Sequence, residues 1–223
     1  VADGASIERA VTELGERLGE HRLAGLVNNA GIAVGGPHEF LELEQWRQQF
    51  EVNVFGLVDL TQRLIPRLLR ARGRVVNISS IGGRVSTPML GPYSASKFAV
   101  EAITAALRME LAPMGVWAAT VEPGMVKTEI WKKADEQLER YDRKLPAEAK
   151  ERYAPLIRSL TNFNTAGSTR GVDPRRVARA IEHALFARRP RMRYLVGTDA
   201  RLLIAVRWLL PDRAFEWLLR RAM

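Results

Sequence analysis

The chain alternates short apolar runs with longer segments of helical periodicity, and this alternation restricts its fold more than any other feature. The apolar runs are residues 26–27, 75–78 and 116–121. A helical pattern spans residues 43–72 between the first two runs, and a second one begins at Tyr93 between the last two. Strand, helix and strand in this order are typical of parallel βαβ units, so the sequence predicts an α/β fold with a doubly wound parallel sheet.

Each apolar run ends in residues that favour turns or local hydrogen bonds. Asn28 follows the first run, Ser79 and Ser80 follow the second, and Pro123 and Gly124 follow the third by one residue. The carboxyl ends of parallel strands share one edge of a sheet, and α/β proteins bind their ligands at that edge. The sequence therefore predicts a functional site around these residues.

Tyr93 and Lys97 are four residues apart in a helical pattern, so they lie on one side of the predicted helix. A tyrosine hydroxyl has an unperturbed pKa of ~10 and is a poor base near neutrality. A neighbouring ammonium favours the phenolate and lowers that pKa. The pair predicts an acid/base group, although an exposed helix pair has the same spacing.

Four segments together resemble the short-chain dehydrogenase/reductase family in order and spacing. They are residues 28–31, Asn53 within residues 53–56, Ser80 with Tyr93 and Lys97, and residues 123–128. The resemblance is close over residues 1 to 130 and nearest to steroid- and retinol-active members. It implies a Rossmann-like single domain over residues 1–223, NAD or NADP as cofactor, and hydride exchange between an alcohol and a carbonyl. The implied substrate is hydrophobic and steroid-, retinoid- or lipid-like.

The resemblance also implies roles for individual residues. Tyr93 would be the acid/base, Lys97 would lower its pKa and hold the nicotinamide ribose, Ser80 would bind the substrate oxygen, and Asn53, at a helix break, would hold a water linked to Lys97. Residues 28–31 would pack on the adenosine side, with the asparagine also holding neighbouring strands together. The implied cofactor-binding residues are Asn28, Ala30, Gly31, Ile78, Tyr93, Lys97, Pro123, Gly124, Val126 and Thr128.

The glycine-rich G-x-x-x-G-x-G loop of the family does not occur at the start of this chain. Residues 1–3 correspond to the end of the family's third strand, and Asp3 is a candidate helix cap. We expect the sequence to be part of a longer chain, with roughly 50 to 65 further residues forming the first strands of the sheet. The alternative is a true deletion that disables cofactor binding.

Composition favours one globular domain without a metal centre. Of the 223 residues, 47% are hydrophobic and 26% charged, which suits a chain with a full core. The absence of cysteine excludes disulfides, thiolate metal sites and a cysteine nucleophile. The three histidines are scattered singly without metal-ligand spacing. We therefore predict no metal site.

The net charge of +9 is concentrated at the C-terminal end, since residues 170–223 hold thirteen Arg and five acidic residues, a net of +8. No nucleic-acid-binding module is visible, so we predict no nucleic-acid partner and interpret the basicity as a solvated face. Residues 129–171 are predicted to form a substrate lid of short helices. The aromatic and apolar residues of this lid favour an apolar substrate, although a lid packed on its own protein has the same pattern.

Residues 199–223 are predicted to form a basic amphipathic tail of two helices, broken at Pro211. The tail has three alternative roles: a subunit contact, a cover over the substrate mouth, or contact with a membrane surface. We expect a cytoplasmic homodimer or homotetramer, with peripheral membrane contact as the alternative. The competing function is a non-catalytic protein with the same fold, which acts in binding or at a membrane.

Overall fold

The computed structural model describes residues 1–222, with the side chains of residues 141, 142, 144 and 222 outside the description. Four parallel strands form one sheet in the order β1-β2-β3-β4. The strands are β1 (Gly25–Asn28), β2 (Arg74–Ile78), β3 (Trp117–Pro123) and β4 (Arg193–Val196). Asn28 lies opposite Asn77, and Ile78 lies opposite Val121. The strand ends are thereby aligned at one edge, as the sequence predicts.

Nine α-helices flank the sheet within the described residues. They are α1 (Gly4–Leu18), α2 (Leu43–Phe50), α3 (Gly56–Ala71), α4 (Gly91–Leu111), α5 (Ile130–Lys144), α6 (Ala147–Arg170), α7 (Pro174–Phe186), α8 (Thr198–Leu209) and α9 (Asp212–Ala222). The sequence-based start of α1 is confirmed, and α7 begins in a similar way. The Asp3 carboxylate accepts hydrogen bonds from two amides of α1, and Asp173 accepts one from the Arg175 amide at 2.7 Å, with Pro174 as the first helical residue.

The sheet is buried on both faces. On one face, Val75 and Ala118 pack with residues of α3 and α4, such as Leu64 and Leu111. On the other face, Val76 and its neighbours in β3 pack with α7. Successive side chains of a strand point to opposite faces, so a strand covered on both sides is apolar throughout. This arrangement explains the continuous apolar runs of the sequence and confirms the α/β class.

The helical segment of residues 43–72 is interrupted around Asn53, where the resemblance implies a helix break. A π-helical turn, Glu51–Phe55, separates α2 from α3. Pro66 lies inside the continuous helix α3. Leu64 and Leu68 on either side of Pro66 are fully buried against the sheet, and their packing holds the helix together across the proline.

The lid and the tail are helical. Residues 129–171 form α5 and α6, which are 15 and 24 residues long, so the expectation of short helices is wrong. Leu138 of α5 and Leu160 of α6 are buried against Met89 beside the sheet edge, and this packing stabilises the two long helices. The tail forms α8 and α9 with a break at Leu210 and Pro211. Within residues 1–222, no helix combines the length and apolarity needed to traverse a bilayer.

Candidate active site

The side chains of Ser80 and Tyr93 lie next to each other where β2 ends. Ser80 has extended backbone and caps a 3-10 turn, Ile81–Gly83, with its Oγ accepting from the Gly82 amide at 3.0 Å. Tyr93 lies in the first turn of α4. Burial raises the pKa of Tyr93 above its ordinary value, and the hydrogen bond with Ser80 opposes this shift. At neutral pH Tyr93 is therefore a neutral phenol beside the Ser80 hydroxyl.

Lys97 lies one helical turn after Tyr93, and only 6% of it is exposed. Its Nζ donates a hydrogen bond to the Ile78 carbonyl, at the end of β2, at 2.8 Å and lies 5.9 Å from the centre of the Tyr93 ring. Burial lowers the pKa of Lys97 to about 8, and the negative charge of Glu101 opposes this shift. The ammonium is thus held next to the tyrosine at the floor of the site.

That Lys97 lowers the pKa of Tyr93 stays a prediction, since the influences identified in the structure are burial and Ser80. Burial is the largest influence on this pKa and raises it, and the influence that lowers it is the hydrogen bond with Ser80. The Lys97 ammonium donates to the Ile78 carbonyl, and burial lowers the pKa of Lys97 itself. Lys97 and Tyr93 are neighbours, but the phenol stays protonated.

Asn53 lies in the π-helical turn between α2 and α3, which places it at a helix break. Its side chain is 1% exposed, accepts from the Ile32 amide at 2.9 Å, and donates to the Ile32 carbonyl at 3.1 Å and to Ser96 Oγ at 3.0 Å. The Ser96 hydroxyl in turn donates to the Tyr93 carbonyl. Asn53 thereby ties the loop after β1 to the start of α4, and it acts on the site through these neighbours.

Two of the residues expected at the cofactor do not line the cleft. Asn28 is buried between strands, where its Nδ2 donates to Thr61 Oγ1 at 2.9 Å and to Asn77 Oδ1 at 2.8 Å. Asn77 continues this network by donating to Thr104 Oγ1 of α4. Ala30 is exposed outside the cleft. The resemblance implies that Asn28 both packs on the adenosine side and holds neighbouring strands together. In the structure its side chain joins β1 to β2.

The remaining expected residues line one cleft of about 970 Å³ at the carboxyl edge of the sheet. They are Gly31, Ile78, Ser80, Tyr93, Lys97, Pro123, Gly124, Val126 and Thr128. A Cβ at Gly31 would lie 3.4 Å from Asn53 Oδ1 and 3.6 Å from Lys97 Nζ, so the glycine leaves room in front of these groups. The structure therefore brings together residues that lie up to 97 positions apart in the sequence.

The cleft is closed by the lid and the tail, whose contributions are almost entirely apolar. The lid supplies Ile130, Trp131, Ala134, Leu138, Leu160, Phe163 and Asn164, and the tail supplies Asp199, Ala200, Leu202, Leu203, Val206, Leu218 and Leu219. Tyr141, an aromatic residue of the lid segment, has its side chain outside the described residues. Covering the substrate mouth, one of the three roles open to the tail, agrees with this geometry.

Sequence reasoning missed Asp199. This residue begins α8 and accepts a hydrogen bond from the Met125 amide at 2.7 Å. Its carboxylate occupies the space that a side chain at Gly124 would need, so Gly124 permits the close approach of the tail. No local pattern marks this contact, since the two residues are 75 positions apart in the sequence.

Sequence reasoning also missed a charge cluster in which Arg193 pairs with two buried carboxylates, Glu101 and Glu122. Arg193 Nε lies 3.3 Å from an oxygen of Glu101 and 3.3 Å from one of Glu122, and Thr120 Oγ1 donates to both carboxylates. Burial raises the pKa of Glu122, Glu101 adds to this shift, and the arginines Arg84 and Arg193 oppose it. A four-residue spacing from Tyr93 through Lys97 to Glu101 was the available signal.

No group of three or more metal-ligating side chains that would hold a metal ion occurs in the described part of the chain. The chemistry of the cleft rests on one hydroxyl, one phenol and one ammonium, surrounded by apolar walls. Such a set can exchange a proton with an oxygen atom of an apolar ligand and can stabilise charge on it.

Comparison with known proteins places this site in a family. The family model for short chain dehydrogenases matches residues 1–139. An NADPH-dependent 3-dehydrocapnine reductase from Ornithobacterium rhinotracheale is 39% identical over 96% of this chain and 75% of its own length. Retinol dehydrogenase 7 of Mus musculus is 39% identical over 88% of this chain and 63% of its own length.

A solved structure supports the same relationship over the whole fold. The structure of a short-chain dehydrogenase from Streptomyces avermitilis matches with a TM-score of 0.73 at 31% identity, covering 100% of this chain and 78% of that one. The model match covers more than half of the residues, and the likeness of the relatives extends through the lid and the tail. The chain belongs to the short-chain dehydrogenase/reductase family.

Proposed function

We propose that this protein, an oxidoreductase of its family that uses NAD or NADP, interconverts a carbonyl and a hydroxyl on a hydrophobic substrate. The observation that carries the proposal is the neighbouring pair of hydroxyl side chains, Ser80 and Tyr93, that line an apolar cleft beside Lys97. General acid/base catalysis needs a proton donor within hydrogen-bond reach of the reacting oxygen. Both hydroxyls border the space in which a substrate oxygen would lie.

In this proposal Tyr93 exchanges the proton and Ser80 positions the oxygen. Burial keeps Tyr93 protonated near neutrality, so its phenol donates to a carbonyl oxygen and favours the direction of reduction at that pH. In the direction of oxidation Tyr93 accepts the proton of the hydroxyl. The Lys97 ammonium stabilises negative charge that develops on the phenol oxygen during either step.

The residues around Lys97 fit the nicotinamide end of a dinucleotide. Gly31 leaves space in front of the ammonium, while Pro123, Val126 and Thr128 form a wall along the cleft. The ammonium would donate hydrogen bonds to ribose hydroxyls, and the wall would bind the flat ring. When bound, the nicotinamide supplies or accepts the hydride. The Ornithobacterium rhinotracheale relative is named an NADPH-dependent reductase, which supports NADPH as the first cofactor to test.

Asn53 has a positioning role in this proposal. Its side chain fixes Ile32 and Ser96, and the Ser96 hydroxyl holds the backbone of Tyr93. Asn28 acts one step further away by joining β1 to β2, on which Ile78 presents its carbonyl to Lys97. We assign neither side chain a direct contact with substrate.

The walls of the cleft support a hydrophobic substrate. Leu160 and Phe163 of the lid and Leu203 and Leu219 of the tail line the same cleft of about 970 Å³, and these apolar walls suit an apolar molecule. The names of the relatives, a retinol dehydrogenase and a 3-dehydrocapnine reductase, agree with chemistry on an alcohol and on a ketone. We therefore expect the protein to prefer lipid-like ketones to small polar ketones as substrates.

We also propose that the protein forms a homodimer through the outer side of α4. Phe98, Ala102, Ala106 and Met109 follow one another at helical spacing on this side and are exposed, with Met109 at 71%. The stripe carries no charge, so two copies can meet across a twofold axis without like charges opposing each other. Light scattering of the protein and of a Phe98→Ser, Met109→Ser variant tests this assembly, and an unchanged mass argues against it.

Reduction of a panel of ketones tests the function. Purified protein is mixed with NADPH or NADH and with ketones of matched reactivity that range from small and polar to large and apolar. We expect oxidation of one cofactor with a kcat/KM that increases with apolar size. Binding of cofactor without turnover on any ketone or alcohol would instead indicate a non-catalytic binding protein.

A further inference from the structure

Helix α8 presents an apolar side to solvent. Beyond its first turn, its exposed residues are Arg201, Leu202, Ala205, Trp208 and Leu209, which recur at the spacing of one helical side. Leu202 is 67% exposed, and Trp208 and Leu209 are each 80% exposed. An outward helix side of a water-soluble domain is normally polar, so this arrangement implies a partner.

Helix α9 extends the exposed apolar surface. Trp217 is 55% exposed and Leu218 39%, while Phe215 between the helices is buried. Arg207 of α8 lies over the Phe215 ring and is paired with Asp212 at 2.6 Å, which holds α9 against α8. We define the tail patch as Leu202, Trp208, Leu209, Trp217 and Leu218.

The tail patch is continuous with the inside of the cleft. Leu202 and Leu218 are exposed to solvent and also line the cleft, next to Leu203 and Leu219 deeper inside. An apolar molecule at the tail patch thus meets apolar side chains all the way to the Tyr93 end. A surface that only stabilised the fold would not need to be continuous with the cleft.

Charge distinguishes between the candidate occupants of the tail patch. Residues 198–222 contain five Arg and three acidic residues. Among the described residues, no acidic side chain pairs with Arg201, Arg213 or Arg221, whereas Asp199 and Asp212 are already engaged. Arg221 lies 4.3 Å from the centre of the Trp217 ring, which sets a cation beside an aromatic residue at the patch.

A second copy of the chain suits this surface poorly. A twofold contact through the tail patch would bring the same unpaired arginines of both copies together. Anionic lipid headgroups complement these arginines, and tryptophan and leucine enter the boundary between headgroups and acyl chains. The uncharged side of α4 is the better surface for self-association, as argued above.

We infer that the α8–α9 pair docks on the surface of a bilayer containing anionic lipid, and that apolar substrates enter the cleft from that bilayer past Leu202 and Leu218. The docking stands independently of the catalytic assignment, while the route of substrate entry rests on the proposed function.

Co-sedimentation with vesicles tests the docking. The protein is mixed with vesicles of phosphatidylcholine alone or of phosphatidylcholine with phosphatidylglycerol, at low and high salt. We expect binding to the anionic vesicles that weakens with salt. The variant Trp208→Ser, Leu209→Ser changes residues outside the cleft and should lose at least about tenfold in vesicle affinity, since it removes two apolar side chains from the lipid boundary.

Two matched variants complete the vesicle experiment. The variant Leu43→Ser, Phe186→Ser removes two exposed apolar residues outside the tail patch and the α4 stripe and should bind vesicles as the unmodified protein does. The variant Arg201→Gln, Arg213→Gln should lose the preference for phosphatidylglycerol. Equal binding to both vesicle types, or none to either, overturns the inference. A lower oligomeric mass of the Trp208→Ser, Leu209→Ser variant with unchanged vesicle binding assigns the patch to a second copy and also overturns it.

Kinetics test the route of substrate entry. An apolar ketone dissolved in anionic vesicles is compared with a small ketone dissolved in water. The Trp208→Ser, Leu209→Ser variant should show a raised KM for the vesicle-borne ketone and an unchanged kcat/KM for the soluble one. Equal effects on both ketones overturn the proposed route. If the unmodified protein reduces neither ketone but binds anionic vesicles, the proposed function and the entry route fail and the docking stands.

Discussion

The carboxyl edge of the sheet and the α8–α9 pair line the same cleft, yet they are held in place differently. At the sheet edge, Lys97, Asn53 and Ser96 are buried, and each forms hydrogen bonds to a neighbouring element. In the tail, Ala200 and Phe215 are the buried apolar residues, while Trp208 and Leu209 are mostly exposed.

This difference suggests a division of tasks. Groups that transfer protons must be placed within a fraction of an ångström, which requires side chains locked by packing and hydrogen bonds. A segment that admits substrates of varied shape works with fewer buried contacts, and such segments open at low free-energy cost. The sheet edge should therefore respond to mutation through turnover and global stability, and the tail through local opening.

The largest effect is expected at Tyr93. The change Tyr93→Phe removes one hydroxyl and should lower turnover by ~10² to 10⁴-fold, the usual contribution of general acid/base catalysis, with thermal stability nearly unchanged. Steady-state kinetics measure the loss. Tyr153→Phe is the matched control, because it deletes a hydroxyl that bonds Glu39 on the surface and should leave turnover unaltered. Turnover within a few fold of the unmodified protein would remove Tyr93 from the proposed mechanism.

A smaller effect is expected at Asn28. The change Asn28→Ala removes the buried amide that donates to Asn77 Oδ1 and Thr61 Oγ1, and should lower the free energy of unfolding by ~1 to 3 kcal/mol. Urea denaturation measures this cost, and the exposed Asn162→Ala in α6 is the control. If Asn28→Ala weakens cofactor binding severalfold without a change in stability, its main role is at the cofactor and the structural assignment is wrong.

The pH dependence of the free enzyme should report Lys97. Since burial lowers the pKa of Lys97 to about 8, its positive charge is lost as the pH rises through that value, and the reductive kcat/KM should fall there. Glu101 raises this pKa, so Glu101→Gln should move the fall to lower pH, whereas the exposed Glu110→Gln on the same helix should not. An unmoved profile would show that Glu101 acts only as a partner of Arg193.

The same shift has a consequence for stability. The folded-state pKa of Lys97, about 8, lies below the ordinary value of 10.5, so the unfolded chain binds more protons between these values. The contribution of Lys97 to the free energy of unfolding should therefore rise as pH increases through this interval. Urea denaturation of the protein and of Lys97→Met across the interval measures it, and a difference that does not vary with pH contradicts the buried ammonium.

The smallest global effect is expected in the tail. The change Phe215→Ala removes the side chain that seats α9 on α8 and should speed hydrogen exchange in residues 212–222 without moving the main unfolding transition. By contrast, Leu64→Ala in the core beneath the sheet should cost ~2 to 5 kcal/mol of global stability. Faster exchange in α4 of the Phe215→Ala variant would show that the tail and the sheet edge form one cooperative unit, against the comparison drawn above.

The sequence by itself determined the local architecture and the identity of the reacting groups. Apolar runs and helical spacing identified β1, β2 and β3, and Asp3 marked the start of α1, because these signals arise between residues a few positions apart. Ser80, Tyr93 and Lys97 were recognised for a related reason, since their motif spacing resembles that of a known family. The structure places these three side chains together in the cleft.

Only the tertiary structure decided the environments of those groups. The Asn28 side chain lies between strands, the Tyr93 pKa is raised, and the tail covers the cleft. Each of these properties depends on burial or on partners distant in the sequence, as with Arg193, which meets Glu101 from 92 positions away. Local periodicity in the sequence does not predict such contacts, because they form only when the sheet, lid and tail pack against one another.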